Sequence, residues 1–328
     1  MKYFYLFGHG AVLTEALHKL AKEANTKVYV LTSERQYSAE LHRTCDSYAV
    51  EYRILEDLRA EYLEFPAGID HELLGLSFGA PWKFSKEIID FFTGNLYNLH
   101  SLPLPIYRGG ASFSWQILNQ SKIGTCLIHQ VNEFYDEGKI AAFESFRYSQ
   151  AAKIPLHYEN ELLEKNKLFI RNFIDHLLSG NDIELTGQPH YLSTYFPRLN
   201  TDVHGYINWG WENREIHNFI CAFDMPYKGA STFYRGKRVH IRNVDIDLSD
   251  GNFHSFLSGL IYRIEKSEIY VATAGGSLVI KEINDESGNS IFNEILVGDR
   301  FYSPSEKLEN AMRTRTFFNA KGLLNKLY

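Results

Sequence analysis

Asn98 and His100 stand two apart in the short apolar stretch Tyr97 to His100. In a strand, a period of two puts both side chains on one face. Here that is the strand's carboxyl end, where ligands gather in an open α/β sheet. The following segment, Ser101 to Gly110, carries Pro103 and Pro105 to stiffen it and Gly109 and Gly110 to let backbone approach a ligand. Asp136 is expected at the end of the next strand, in Tyr135-Asp136-Glu137-Gly138. An amide, an imidazole and a carboxylate at one sheet edge suit acyl transfer to an amine. They supply a donor for a developing oxyanion, a base for the amine proton, and a charge that orients the base. Taken singly, each residue fits equally well an edge position whose side chain only satisfies a hydrogen bond.

The elements that must position these groups alternate between strand and helix. Tyr3 to Phe7 reads as a strand, Ala11 to Ala24 as a helix with Leu13, Leu17 and Leu20 on one side, and Val28 to Leu31 as a strand again. Leu73 to Phe78 follows as a buried strand, then a helix from Lys86 to Phe92 capped by Ser85 and stopped at Gly94. Tyr97 to His100 is a strand, Ser112 to Leu118 starts a helix, and Gly124 to Val131 is a strand running into a polar turn at Asn132 to Gly138. This pattern predicts an α/β fold with a Rossmann-like, mostly parallel sheet. A long amphipathic helix from Tyr158 to Leu178 ends at Gly180, and turn formers with Pro189 and Pro197 follow. The expected division is a first domain over 1–185, a linker over 186–205, and a small β-rich domain over 206–328. In the last, the helix Arg214 to Phe223 precedes glycine-punctuated strands such as Lys237 to Ile241, Ile269 to Thr273 and Leu278 to Ile283.

Composition narrows the class. Of 328 residues, 45% are hydrophobic and 23% charged, which describes a water-soluble globular chain able to bury a sizeable core. A net charge of -6 supplies no overall basic field to draw in phosphate backbones, so nucleic acid is not the expected partner. Cys45, Cys126 and Cys221 are far apart and form no C-x-x-C pair. A reducing, cytoplasmic setting is therefore expected. No basic leader or apolar run of membrane-spanning length occurs, and no membrane association is expected. None of the 13 histidines falls in H-x-x-x-H or H-E-x-x-H spacing, and no metal is expected.

The stretch Asn98-Leu99-His100, then Leu104-Pro105-Ile106-Tyr107-Arg108-Gly109, then Asp136-Glu137-Gly138 resembles the signature of the 10-formyltetrahydrofolate-dependent formyltransferases. The resemblance implies that Asn98 bonds the formyl oxygen, that His100 assists proton removal or stabilises the tetrahedral intermediate, and that Asp136 holds and polarises His100. It implies 10-formyltetrahydrofolate as co-substrate. Phe78, Gly79, Ala80 and Pro81 match the loop where the family usually has Tyr-Gly, and with Asn132 and Tyr135 they would line the folate pocket. Tyr107, Arg108, Gly109 and Trp115 would face the acceptor. Gly205 to Trp209, the helix from Glu215 to Phe223, and Pro226-Tyr227-Lys228-Gly229-Ala230 look like the family's C-terminal domain, which folds as an OB-like barrel.

Two departures narrow the choice of acceptor. Ser101-Leu102-Pro103 adds a proline to the loop after His100, and Gly8-His9-Gly10-Ala11 lacks the Ser-Asn pair with which glycinamide ribonucleotide formyltransferases cradle a phosphate. Net acidity favours a sugar nucleotide, and Trp115 and the form of Pro226 to Ala230 look more like the domain that formylates UDP-4-amino-arabinose. A nucleotide-linked amino sugar is thus the expected acceptor, with a place in lipopolysaccharide or surface-glycan synthesis. Methionyl-tRNA formyltransferase is the alternative, with the run Arg235-Gly236-Lys237-Arg238 as a local basic patch. A non-catalytic folate-binding protein is a third reading. A homodimer is expected on fold analogy.

Overall fold

The computed structural model describes residues 1–63, 72–110, 113–319 and 322–328. Ser112, the expected helix start, lies outside them.

The first half builds β1 (Lys2–Gly8), α1 (Gly10–Leu20), β2 (Thr26–Thr32), α2 (Ala39–Ser47), β3 (Glu51–Ile54), β4 (Glu72–Phe78), α3 (Lys86–Phe91), β5 (Leu96–His100), β6 (Arg108–Gly109), α4 (Phe113–Leu118), β7 (Ile123–Gln130), β8 (Ile140–Arg147) and α5 (Pro155–Ser179). Seven of these strands form one sheet in the order β3-β2-β1-β4-β5-β7-β8. The first five run parallel, whereas β7 and β8 are antiparallel to their neighbours. The strand order reverses between β1 and β4, which opens a crevice beyond the carboxyl ends of these strands, beside that of β5.

Period-two alternation explains why β1 is apolar throughout. Phe4 and Leu6 pack on α1 and α5 through Leu13, Leu17, Phe169, Ile170 and Phe173. Tyr3, Tyr5 and Phe7 face the other way, onto Trp82, Phe84, Ile88 and Phe92. Both faces are covered, as a parallel sheet requires. Helix α5 begins with Pro155 in its first turn and ends at Gly180, whose φ of 74° is the left-handed stop.

The chain then crosses through β9 (Tyr195–Phe196) and α6 (Thr201–His204) to α7 (Asn213–Ala222), which opens with a reciprocal capping box between Glu212 and Glu215. Beyond it are β10 (Ala230–Tyr234), β11 (Lys237–Asp247), β12 (Ile261–Glu265), β13 (Glu268–Thr273), β14 (Gly276–Asn284), α8 (Ser305–Arg313), β15 (Thr314–Asn319) and β16 (Gly322–Leu327). Five strands make an antiparallel sheet, β10-β11-β14-β13-β12. Arg300 bridges Leu260 beside one edge strand and Tyr302 bridges Phe233 in the other, so a single segment closes the sheet upon itself. The two halves are joined where Ser114 of α4 donates to the carbonyl of Ala222 in α7 at 2.7 Å. Among the described residues, no helix is long and apolar enough to cross a membrane.

Candidate active site

Strand β5 delivers Asn98 and His100 to the carboxyl edge of the sheet, and β7 runs beside it with His129 directly opposite Asn98. The pairing of β7 with β8 slips by one residue at His129, leaving Ala141 as the extra residue of a β-bulge. Such a bulge re-aims the side chains around it. The loop from β7 to β8 folds back and sets Asp136 over the same face, so Asp136 is not at a strand end. Its Oδ1 lies 3.9 Å from His100 Nδ1 and 3.7 Å from His129 Nε2. Asn98 Nδ2 lies 3.2 Å from His129 Nε2.

The protonation of His129 follows from its surroundings. Burial, reinforced by the neighbouring His100, lowers its pKa to about 4, so the ring is neutral at neutral pH. Its Nδ1 lies 2.9 Å from the Gln130 carbonyl, which can only accept, and the proton therefore resides on Nδ1. Nε2 is left with a lone pair, so Asn98 must turn its NH2 end toward it. One N–H of Asn98 is thereby committed to His129, while the other has no partner among the described residues and can meet a ligand oxygen. His100 Nε2 is 3.4 Å from the Tyr107 carbonyl, which leaves Nδ1 facing Asp136.

A cavity of about 140 Å3 opens beside these groups, lined by Ser77, Ala80, Trp82, Lys83, Phe84, Asn98, His129, Val131, Asn132, Phe134, Tyr135 and Asp136. Phe134 and Tyr135 are 67% and 70% exposed and form aromatic lips, with Lys83 Nζ 5.3 Å from the Tyr135 ring centre. A larger cavity of about 590 Å3 lies on the second sheet, but Asn98, His100, His129 and Asp136 do not line it.

The structure places the remaining sequence candidates as follows. Ala80, Asn132 and Tyr135 line the cavity, while Phe78, Gly79 and Pro81 do not. Phe78 is buried in the core and its carbonyl accepts from His9 N at 3.2 Å; the Gly79 carbonyl accepts from Gln36 Nε2 at 2.7 Å. Arg108 is tied to Glu137, Nη1 to Oε1 2.7 Å. Gly109 has φ 109°, and a Cβ there would fall 2.2 Å from the Phe196 carbonyl, so its open side is taken by β9 of the crossing segment. Tyr107 stacks on Phe196 at 4.9 Å, and Trp115 donates its indole N–H to the Pro197 carbonyl at 2.8 Å. These four residues converge on the crossing segment. His129 was not among the candidates; a histidine seven residues before Asp136, near the end of a predicted strand, was the available signal.

His100, His129 and Asp136 offer donor atoms all within 4.8 Å of one another, close enough to hold a metal ion. The tautomer and pairing described above also fit a metal-free amide and imidazole centre.

Residues 201–296 match the formyl transferase C-terminal domain family. Methionyl-tRNA formyltransferase of Acetivibrio thermocellus is 27% identical over 219 residues, covering 66% of this chain and 68% of that protein. The enzyme of the same name from Clostridium tetani is 30% identical over 212 residues, covering 64% and 66%. The chain belongs to the formyltransferase family. Among solved structures, the fold of this formyltransferase is similar to the N-formyltransferase of Helicobacter canadensis, crystallised with folinic acid and dTDP-3-aminofucose. That match has a TM-score of 0.64 at 18% identity, over 85% of this chain and 98% of that one.

Proposed function

We propose that this formyltransferase moves a formyl group from 10-formyltetrahydrofolate to the amine of a nucleotide-linked amino sugar. The observation that carries the chemistry is the fixed amide of Asn98, turned by neutral His129 so that a free N–H meets the formyl oxygen. The acceptor nitrogen attacks the formyl carbon, and Asn98 stabilises the oxyanion that develops. The bond from carbon to folate N10 then breaks. One proton passes from the amine to N10 by way of His100, with Asp136 compensating the charge on the ring. No covalent enzyme intermediate is needed.

For the acceptor, support comes from charge. The net charge is -6. Both arginines of the basic run expected to grip a polyanion are already paired: Arg235 with Asp299 at 2.7 Å, and Arg238 with Glu286 at 3.6 Å and Asp202 at 3.8 Å. The fold similarity to an enzyme crystallised with a dTDP-linked amino sugar points the same way. The sequence relatives favour a second reading, methionyl-tRNA formyltransferase. The same proposal takes residues 1–185 as the catalytic domain, 186–205 as the linker and 206–328 as an OB-like domain, in a cytoplasmic enzyme. Exposed Leu323, Leu324 and Leu327 on β16 would suit a homodimer contact.

The test is tetrahydrofolate release from 10-formyltetrahydrofolate, followed while the protein is offered dTDP-, UDP- and GDP-linked amino sugars beside charged initiator tRNA. Turnover with a sugar nucleotide alone is expected. Turnover with tRNA alone would replace the acceptor, and folate binding with no turnover would leave a binding protein.

A further inference from the structure

Gln188 lies in the crossing segment, in Gly187-Gln188-Pro189, where its sequence surroundings mark only a turn. Its side chain is buried and reaches back to the loop that carries Asp136. The amide nitrogen donates to the Asp136 carbonyl at 2.9 Å and to the Gly138 carbonyl at 2.6 Å. Both partners are acceptors only, so the NH2 end must face them. Oε1 is buried with no hydrogen-bond partner among the described residues. A buried acceptor left unpaired destabilises the fold, so the contribution of this side chain is in its donor end.

The turn it grips is a strained one. Asp136 has φ 56°, in the left-handed region that residues with a Cβ reach only at an energetic cost. Backbone of this kind persists where its surroundings over-determine it. Gln188 supplies two constraints, one on each side of Glu137. Two more flank them: Ile140 and Thr186 exchange backbone hydrogen bonds of 2.8 and 2.9 Å, and Gly138 is pressed on the Gln130 carbonyl, where a Cβ would fall 1.6 Å from the oxygen. The conformation of this turn fixes where the Asp136 carboxylate stands between His100 and His129.

We infer that Gln188 is a positioning residue for formyl transfer, which holds the Asp136 carboxylate in register through the carbonyls of Asp136 and Gly138 without touching the reactants. The inference rests on the reading of this site as a formyl-transfer centre. Through it the crossing segment becomes part of the catalytic apparatus.

Two variants and one structure test it. Gln188→Met keeps the volume and removes both donors; kcat is expected to fall about ten- to a hundredfold, with KM for donor and acceptor within about twofold of wild type. Gln188→Glu keeps the shape but, when ionised, turns a carboxylate on two carbonyls. Its activity relative to wild type is expected to rise as pH falls and the protonated acid regains one donor. A passive packing role would not produce that pH dependence, and this ratio decides the matter if Gln188→Met fails to fold. A crystal structure of Gln188→Met is expected to show the Asp136 carboxylate shifted by about 1 Å, enough to impair catalysis. Wild-type kcat in both variants, or an unmoved Asp136 in that crystal structure, would overturn the inference. Absence of wild-type turnover with every acceptor would count against the formyl-transfer reading instead, and the crystal structure would then decide the role of Gln188 alone.

Discussion

Asn98 and His129 are 31 residues apart in sequence, yet they face each other across two antiparallel strands with Nδ2 3.2 Å from Nε2. The contact makes one amide directional, since a neutral imidazole whose Nδ1 proton is engaged by a carbonyl can only accept at Nε2. Four side chains then act as one unit, and each prediction below tests a link within it.

Asn98→Ala removes the oxyanion donor and should lower kcat about 10²- to 10³-fold. His129→Ala should lower it less, since it frees the amide to rotate without removing it. The double variant should be no slower than Asn98→Ala alone, because His129 acts through Asn98. Steady-state kinetics on the three proteins decide this, and additive losses would separate the two residues.

Asp136→Asn should reduce turnover by roughly two orders of magnitude, through lost compensation of the charge on His100. The folded state should persist, because Asp136 is held by its carbonyl and backbone rather than by its carboxylate. Circular dichroism beside the kinetic assay separates the two effects.

Stability should fall as pH drops from about 6.5 toward about 4. His129 titrates at about 4 in the folded chain, against 6.5 without burial. In that window the unfolded chain binds the extra proton, so stability is full above the upper value and is lost on descending to the lower one. The loss should be on the order of 3 kcal/mol. Urea midpoints at pH 7 and pH 4.5 should therefore differ less in His129→Gln than in wild type.

Gly138→Ala should destabilise by about 1–3 kcal/mol through overpacking, because the new methyl would fall 1.6 Å from the Gln130 carbonyl oxygen. Gly288→Ala is the contrast: its φ is positive at 86°, unlike that of Gly138, and nothing lies within 4 Å of the added carbon. Thermal melts of the two should separate steric crowding from backbone strain.

Prolonged dialysis against a chelator should leave turnover unchanged, since the proposed chemistry uses only amide, imidazole and carboxylate groups. Added Zn2+ should slow it by drawing on the His100, His129 and Asp136 donors. A loss of activity on chelation, restored by metal, would reverse the assignment.

Asn98, His100 and Asp136 are legible in the sequence because each belongs to a short motif, and a period of two aligns the first pair. His129 is not, because inside Cys126-Leu127-Ile128-His129 it reads as one more residue of a buried strand. Its meaning depends on the register against β5, which is a non-local property. Gln188 is hidden for the same reason, as the two carbonyls it binds are 50 and 52 residues away. Trp115 and Gly109 look suited to a ligand until β9 is seen occupying their free sides. Elements follow the same rule: β1 and α5 carry strong burial patterns, whereas β8, exposed at Glu144 and Ser145, and α8, which buries no residue, carry little that a periodicity could detect.

The parallel ladder between β6 and β9 bears on how far the molecule can be taken apart. Strand β6 belongs to the loop after His100, and β9 to the stretch leading into the second sheet. Cleaving the chain at residue 185 would sever more than a tether. The fragment would keep its seven-stranded sheet and the strands that carry Asn98, His100 and His129, but the loop beside them would lose the wall against which Tyr107, Gly109 and Trp115 are packed. The enzyme is thus modular in its sheets and indivisible in its cleft.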